Sequence, residues 1–128
     1  MKTTLSVIIC LAVILFSCKK HNGATSAIIT FIEPTEGDIL QFGEELHIEG
    51  TIQGDGELHG YSLSLINSTT GQTLLSNSTH DHAETFSFHE HWSNNLTDTS
   101  NVKIIVVADL DHDGGKTSKE INVVCLPN

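Results

Sequence analysis

Four of the eight histidines of this chain lie within twelve residues, in the segment HDHAETFSFHEH. They form two His-x-His pairs, His80 with His82 and His89 with His91, on either side of a Phe-Ser-Phe run. Side chains two positions apart on a β-strand share one face, at a spacing of about 6.6–7 Å. Two imidazoles at that spacing can bind the same ion. Each pair is therefore a candidate half of a transition-metal site.

The two pairs are expected to differ in their position relative to the strand. Phe86 and Phe88 alternate with His89 and His91, so a strand that buries the phenylalanines exposes this histidine pair at its end. His82 lies seven residues before His89, about 23 Å in an extended chain. One ion could therefore contact both pairs only if the segment before the strand folded back. The pattern favours the pair after the strand as the half-site. Further ligands could come from neighbouring strands or adjacent carboxylates, and the candidates are His47, His59, Glu84 and Glu90.

The type of ligand limits the type of metal. Imidazoles without a thiolate or a methionine favour Zn²⁺, Cu²⁺ or Ni²⁺ over Cu⁺. Such binding requires neutral histidines and should weaken below about pH 6. The alternative is that these are solvated histidines on the exposed edge of a sheet, since the spacing alone is not specific. The sequence shows no Ser-His-Asp constellation, reactive cysteine or phosphate-binding loop. An enzyme is not predicted.

A second candidate site matches a calcium-binding loop. Residues 109–120, DLDHDGGKTSKE, fit the pattern D-x-D-x-D-G-x₅-E, in which acidic side chains supply oxygen ligands. The flanking segments have the composition of strands rather than the helices of an EF-hand, and Lys116 replaces the usual aliphatic residue. An acidic Gly-Gly hairpin is therefore favoured over a calcium-stabilised loop. The candidate calcium ligands are Asp109, Asp111, Asp113 and Glu120.

The N-terminus has the pattern of a secretory signal. One lysine precedes an apolar run over residues 5–16, which is too short to span a bilayer as a stable helix. The segment LFSC that ends at Cys18 resembles the lipobox of bacterial lipoproteins, in which the cysteine becomes the lipidated first mature residue. The resemblance implies a signal peptide over residues 1–17 and a membrane anchor at Cys18. Lys19 is not the aspartate that retains such proteins at the inner membrane, which implies the outer membrane.

Charge and cysteine content limit the possible partners. The formal net charge is −10, which argues against nucleic acid or anionic lipid as a partner and suits cation binding. Of the three cysteines, Cys10 lies in the predicted signal, Cys18 is the predicted lipidation site and Cys125 lacks a partner. An intramolecular disulfide is therefore not expected.

The rest of the chain is predicted to be all-β. Residues 18–26 are polar, lack an apolar period and are predicted as a tether after the lipidated cysteine. Short apolar or alternating segments then recur with turn signals roughly every ten residues, including GDGE after the second segment. This pattern predicts an immunoglobulin-like β-sandwich of about seven strands over residues 27–128. The predicted strands are residues 27–32, 46–53, 59–66, 73–75, 85–92, 101–109 and 118–126. The segment 101–109 is apolar on both faces in its middle, which predicts a central strand.

Two segments of this domain carry a family resemblance. FIEPTEGDILQFGEELHIEGTIQGDG is similar to the start of bacterial Ig-like modules, and VVADLDHDGGKTSKEINVV resembles their last hairpin. From Ile28 to Val124 the chain resembles small Bacteroidota lipoproteins that have one Ig-like domain and histidines before the last hairpin. The resemblance implies fold and location, and assigns no catalytic residue.

Two function hypotheses follow from these patterns. One is a lipid-anchored envelope module that binds a divalent transition metal, Zn²⁺ or Cu²⁺, through its His-x-His pairs. The other is an adhesion or interaction module for an envelope protein or glycan, in which metal has no role.

Overall fold

Eight β-strands and their connections make up residues 23–128, the part of the chain that this computed structural model describes. The predicted signal peptide and Cys18 lie outside the described residues. No helix between residues 23 and 128 is long and apolar enough to cross a membrane. The strands are β1 (Ala27–Glu33), β2 (Ile39–Leu40), β3 (Glu45–Leu58), β4 (Tyr61–Asn67), β5 (Gln72–Thr79), β6 (Ala83–Ser93), β7 (Ser100–Asp109) and β8 (Lys116–Cys125).

The strands form two sheets. One has three strands in the order β1-β3-β6, and the other has five in the order β2-β8-β7-β4-β5. All neighbours are antiparallel except the two-residue strand β2, which runs parallel to β8. The chain changes sheet at every connection except those between β4 and β5 and between β7 and β8. This arrangement confirms the predicted immunoglobulin-like β-sandwich.

The hydrophobic core lies between the two sheets, because alternate residues of each strand point inward. In β3 these include Ile48 and Ile52, which have no exposed surface. Phe88 of β6 is 1% exposed, and its ring contacts that of Phe31 edge-on, with the ring centroids 5.5 Å apart. Strand β7 is central in its sheet, as its apolar run predicts. Cys125 is a free, buried cysteine, and burial raises the pKa of its thiol to about 11.

The turn predicted at GDGE does not form. Strand β3 continues through this segment to Leu58, with an irregular register between Gln53 and Leu58 where the glycines let the strand bulge. The chain changes direction after Leu58, at His59 and Gly60. Gly60 has a φ of 122°, which favours glycine. As a result, His59 lies in a connection between the sheets and not at the start of a strand.

The predicted tether is shorter than expected, because residues 23–26 belong to the folded domain. We call these residues the N-terminal arm. Ala24 is 3% exposed, and its backbone amide donates to the carbonyl of Glu57 at 2.9 Å. The Asp55 carboxylate accepts hydrogen bonds from the backbone amides and hydroxyls of Thr25 and Ser26. These bonds, that of the Thr25 hydroxyl above all, hold the pKa of Asp55 well below its usual range. The sequence predicted a free tether here because these residues are polar, yet most of the contacts that hold the N-terminal arm are hydrogen bonds.

Candidate functional site

Three strand connections meet at one end of the sandwich and bring three histidines together. His59 lies between β3 and β4, His82 between β5 and β6, and His112 in the hairpin between β7 and β8. The centroid of the His59 ring lies 4.4 Å from that of His82 and 3.9 Å from that of His112. One ring nitrogen from each residue lies within 4.8 Å of those of the other two. We call these three residues the loop site.

His59 is the buried member of the loop site. Its side chain is 8% exposed, and its Nδ1 is buried with no hydrogen-bond partner. An unsatisfied buried polar atom is unfavourable, which makes this nitrogen a candidate metal ligand. Burial, followed by the neighbouring rings of His112 and His82, lowers the pKa of His59. The imidazole is therefore neutral at physiological pH, which is the form that binds a metal.

The second histidine of the loop site is oriented by a carboxylate. His82 Nδ1 lies 3.2 Å from Glu57 Oε1. When this nitrogen carries the proton, the imidazole donates to the carboxylate and its Nε2 remains available as a ligand. Carboxylates commonly orient metal-binding histidines in this way.

A cavity of about 760 Å³ opens beside the loop site. The N-terminal arm forms one wall, and the other walls are rich in carboxylates. This acidic lining favours a cation over an anion. The lining residues beside the three histidines are Gly23, Ala24, Thr25, Asp55, Glu57, Asp111 and Asp113.

A second histidine cluster lies on the outer face of the three-stranded sheet. His47 of β3 is directly opposite His91 of β6, and His89 lies two residues before His91. The centroid of the His91 ring is 4.4 Å from that of His47 and 4.5 Å from that of His89. One ring nitrogen of each lies within 4.8 Å of those of the other two, and all three side chains are exposed. We call these residues the sheet-face site.

The structure confirms the predicted alternation in β6. Phe88 is buried, Phe86 is partly buried against Tyr61, and His89 and His91 are exposed on the opposite face.

His47, one of the proposed additional ligands, lies beside the His89/His91 pair. The other additional candidates do not. Glu84 belongs to neither cluster, and Glu90 accepts a hydrogen bond from Asn77 at 2.6 Å.

His59, one of the proposed additional ligands, lies beside His82 and not beside the His89/His91 pair. The prediction that only the pair after the strand forms a half-site is corrected. His82, in the segment before β6, also contributes to a cluster because its connection folds over His59. His80 stands next to it, with its ring centroid 5.9 Å from that of His82, but is not among the three converging residues. His112 was missed because it occupies a non-ligand position of the calcium-loop pattern.

The calcium-loop candidates do not surround a common point. Asp109 forms an ion pair with Lys116, its partner across the hairpin. Asp111 accepts hydrogen bonds from the backbone amides of Gly115 and Asp113, at 2.9 and 2.8 Å, and these lower its pKa. Glu120 lies four pairs further along the ladder, 3.2 Å from Lys103 Nζ. The segment therefore forms the hairpin that was the alternative to a calcium loop.

The metal-free chain is expected to lose stability as the pH falls below about 6.5. The unfolded chain binds a proton at the ordinary histidine pKa of 6.5, whereas the folded chain keeps His59 neutral to a lower pH. The folded state therefore binds fewer protons in this interval, and the free energy of unfolding decreases as the pH falls. Urea denaturation at about pH 7.5 and about pH 5.5 measures the loss. A His59→Gln variant should lose less over the same interval, and an equal loss would contradict this role.

Comparison with known proteins bears on the fold alone. Neither a protein-family model nor a curated protein sequence matches this chain. Among solved structures it is similar to Spo0M, a sporulation control protein from Bacillus subtilis, with a TM-score of 0.52 and 14% identity over 83% of this chain and 51% of that one. This similarity agrees with the β-sandwich described above.

Two further similarities have TM-scores slightly below 0.5. A fibronectin(III)-like module of CbhA from Clostridium thermocellum gives a TM-score of 0.48 and 17% identity, over 77% of this chain and 96% of the module. The CARDB domain of a Pyrococcus furiosus protein, solved in complex with di-metal ions, gives a TM-score of 0.49 and 10% identity, over 82% of this chain and 96% of the domain.

Proposed function

We propose that this chain is a lipid-anchored, non-enzymatic binding module of the cell envelope that holds a divalent transition-metal ion at the loop site. The observation that carries the metal is His59, a buried imidazole whose Nδ1 has no partner and whose ring is in contact with those of two other histidines. A cation bound at that nitrogen would remove its unfavourable state. It would also use the neutral form that burial already favours.

The ligand set indicates which ions fit. Three imidazoles without a thiolate suit Zn²⁺, Ni²⁺ and Cu²⁺, and the acidic wall of the cavity adds attraction for any of them. Three protein ligands also leave a position for water or a further donor. Asp111 lines the same cavity, and its carboxylate lies near His59.

Metal binding at the loop site would join three separate strand connections. His59, His82 and His112 come from different hairpins or crossovers, so the unfolded chain does not present them together. A ligand that binds only the folded state stabilises it, by about 2.7 kcal/mol at a hundred times its dissociation constant. Binding of the proposed ion should therefore also raise the free energy of unfolding of the domain.

Titration calorimetry of the full chain with Zn²⁺ tests the metal proposal. The chain is purified in detergent without a histidine tag and metal-free, at a pH above the ordinary histidine pKa. We expect saturable binding with a dissociation constant below about 100 μM and a rise in melting temperature on loading. The absence of saturable binding in that range would contradict the proposal.

The envelope location rests on the sequence around Cys18. The LFSC segment and the apolar run before it support lipidation of this cysteine. Expression in a Gram-negative host with labelled palmitate should give a labelled, membrane-associated chain. A Cys18→Ser variant should remain unlabelled. Label that persists in this variant, or a wild-type chain without label, would contradict the anchor.

A metal-free interaction module is the second candidate, and one observation favours it. Ile28 and Ile32 project from β1, an edge strand, with 71% and 62% of their surface exposed. Apolar side chains on an open edge suit a protein partner. Under this alternative an Ile28→Glu/Ile32→Glu variant would lose an envelope partner that a His82→Ala/His112→Ala variant keeps. The reverse result would favour the metal.

A further inference from the structure

We propose that the sheet-face site binds a second transition-metal ion, held by His47, His89 and His91 and independent of the ion at the loop site. This goes beyond the function proposed above, because the sheet-face site shares no residue with the loop site. The ligand is an aqueous divalent ion that prefers imidazole, such as Zn²⁺ or Cu²⁺.

The register between β3 and β6 creates the sheet-face site. Pairing of His47 with His91 places their side chains on the same face of adjacent strands, where opposite Cβ atoms lie about 4.5–5.5 Å apart. His89 shares that face because it lies two residues from His91. The three rings therefore project from a paired, regular part of the sheet. A one-residue shift in register would place His47 opposite a residue other than His91.

A carboxylate orients two of the three imidazoles. Glu45 Oε1 lies 3.1 Å from His47 Nε2 and 3.0 Å from His91 Nδ1. When these nitrogens carry protons, both rings donate to one carboxylate oxygen, and His47 Nδ1 and His91 Nε2 remain available as ligands. This is the arrangement of carboxylates that position metal-binding histidines. Glu49 lies opposite His89 and adds negative charge to the face.

Distance separates the two sites. From His47 to Gln53, β3 is paired in register with β6, and this stretch spans about 20 Å. His59 lies six residues further along the chain, beyond the bulge. One ion therefore cannot contact both sites. The sites also differ in exposure, since His59 is buried whereas every sheet-face histidine is exposed. An ion on the sheet face is consequently open to exchange with solvent.

The number of ions bound by four forms of the full chain tests this proposal. The forms are the wild type, a sheet-face variant (His47→Ala/His89→Ala/His91→Ala), a loop variant (His82→Ala/His112→Ala) and their combination. The five substituted side chains are exposed or, for His47, half-buried at the surface, so the fold should tolerate the changes. The bound Zn²⁺ is counted by elemental analysis after equilibrium dialysis. We expect two ions per chain in the wild type, one in each single-site variant and none in the combined variant.

The four results separate this inference from the proposed function. If the wild type binds one ion and only the sheet-face variant loses it, the second site exists and the loop site does not. If the sheet-face variant binds as many ions as the wild type, the second site is overturned. A loop variant that binds no ion also overturns it, because the sheet-face residues are intact in that form.

Glu45 provides a finer test in the loop variant. A Glu45→Gln substitution should weaken Cu²⁺ or Zn²⁺ binding at the sheet face by about 10-fold, since loss of an orienting carboxylate commonly costs that much affinity. A Glu120→Gln substitution, on the other sheet beside Lys103, is the matched control and should leave affinity unchanged. The Cu²⁺ electron paramagnetic resonance spectrum should show coupling to imidazole nitrogens. Equal effects of the two substitutions, or a spectrum without nitrogen coupling, would contradict the assignment.

Discussion

Replacing both His82 and His112 with alanine is expected to weaken Zn²⁺ binding at the loop site by at least about 100-fold. The two substitutions leave His59 as the one remaining histidine of the three. Loss of a residue that merely orients a ligand costs about 10–100-fold in affinity, so loss of two direct ligands should cost at least as much. Calorimetry in the sheet-face variant background isolates this site and measures the change.

His80 supplies the matched control for that experiment. It lies two residues before His82 in the same connection, yet it is not among the three converging residues. A His80→Ala variant should keep its affinity within about threefold, because it removes an imidazole without removing a ligand. The loop site as described would be wrong if His80→Ala were as damaging as the double substitution, or if the double substitution had no effect.

Replacing Gly50 with alanine is expected to destabilise the domain by about 3 kcal/mol or more. Gly50 points into the core from β3, directly opposite Phe88. An added Cβ atom would lie 2.2 Å from the Thr30 carbonyl oxygen and 2.3 Å from Phe88 Cζ. Both distances are far below van der Waals contact, and the Thr30 oxygen belongs to the backbone of β1. Overpacking of this kind costs about 1–3 kcal/mol and sometimes more, and here both neighbours must move.

Thr51 is the neighbouring control for Gly50. It follows Gly50 on the same strand and points to the opposite face of the sheet. A Thr51→Ala substitution should cost less than about 1 kcal/mol, a loss typical of a change in strand propensity. Urea denaturation of both variants gives the comparison. A Gly50→Ala variant as stable as Thr51→Ala would contradict the close approach of Phe88 and β1.

Periodicity within one segment predicted the fold class and part of the site. The alternation of phenylalanines and histidines in β6 was sufficient to place Phe88 in the core and His91 on the surface. The apolar run of β7 predicted a central strand, and the Gly-Gly turn predicted the last hairpin. These features depend on residues a few positions apart, which is the range over which sequence patterns report on structure.

Sequence patterns within single segments could not predict which distant segments pair with each other. His47 meets His91 because β3 and β6 adopt one register, which the sequence of neither strand specifies alone. His112 meets His59 because the last hairpin and the connection between β3 and β4 lie at the same end of the sandwich. The turn predicted at GDGE failed for a related reason. Glycines permit either a turn or a bulge, and the pairing of β3 with β6 on both sides of the segment decides for the bulge.

Anomalous diffraction at the zinc absorption edge, from crystals of the zinc-loaded chain, would locate the bound ions. We expect an anomalous peak at the loop site, about 2.0–2.1 Å from one ring nitrogen each of His59, His82 and His112. A zinc-saturated crystal in which these three imidazoles contact no ion would contradict this expectation.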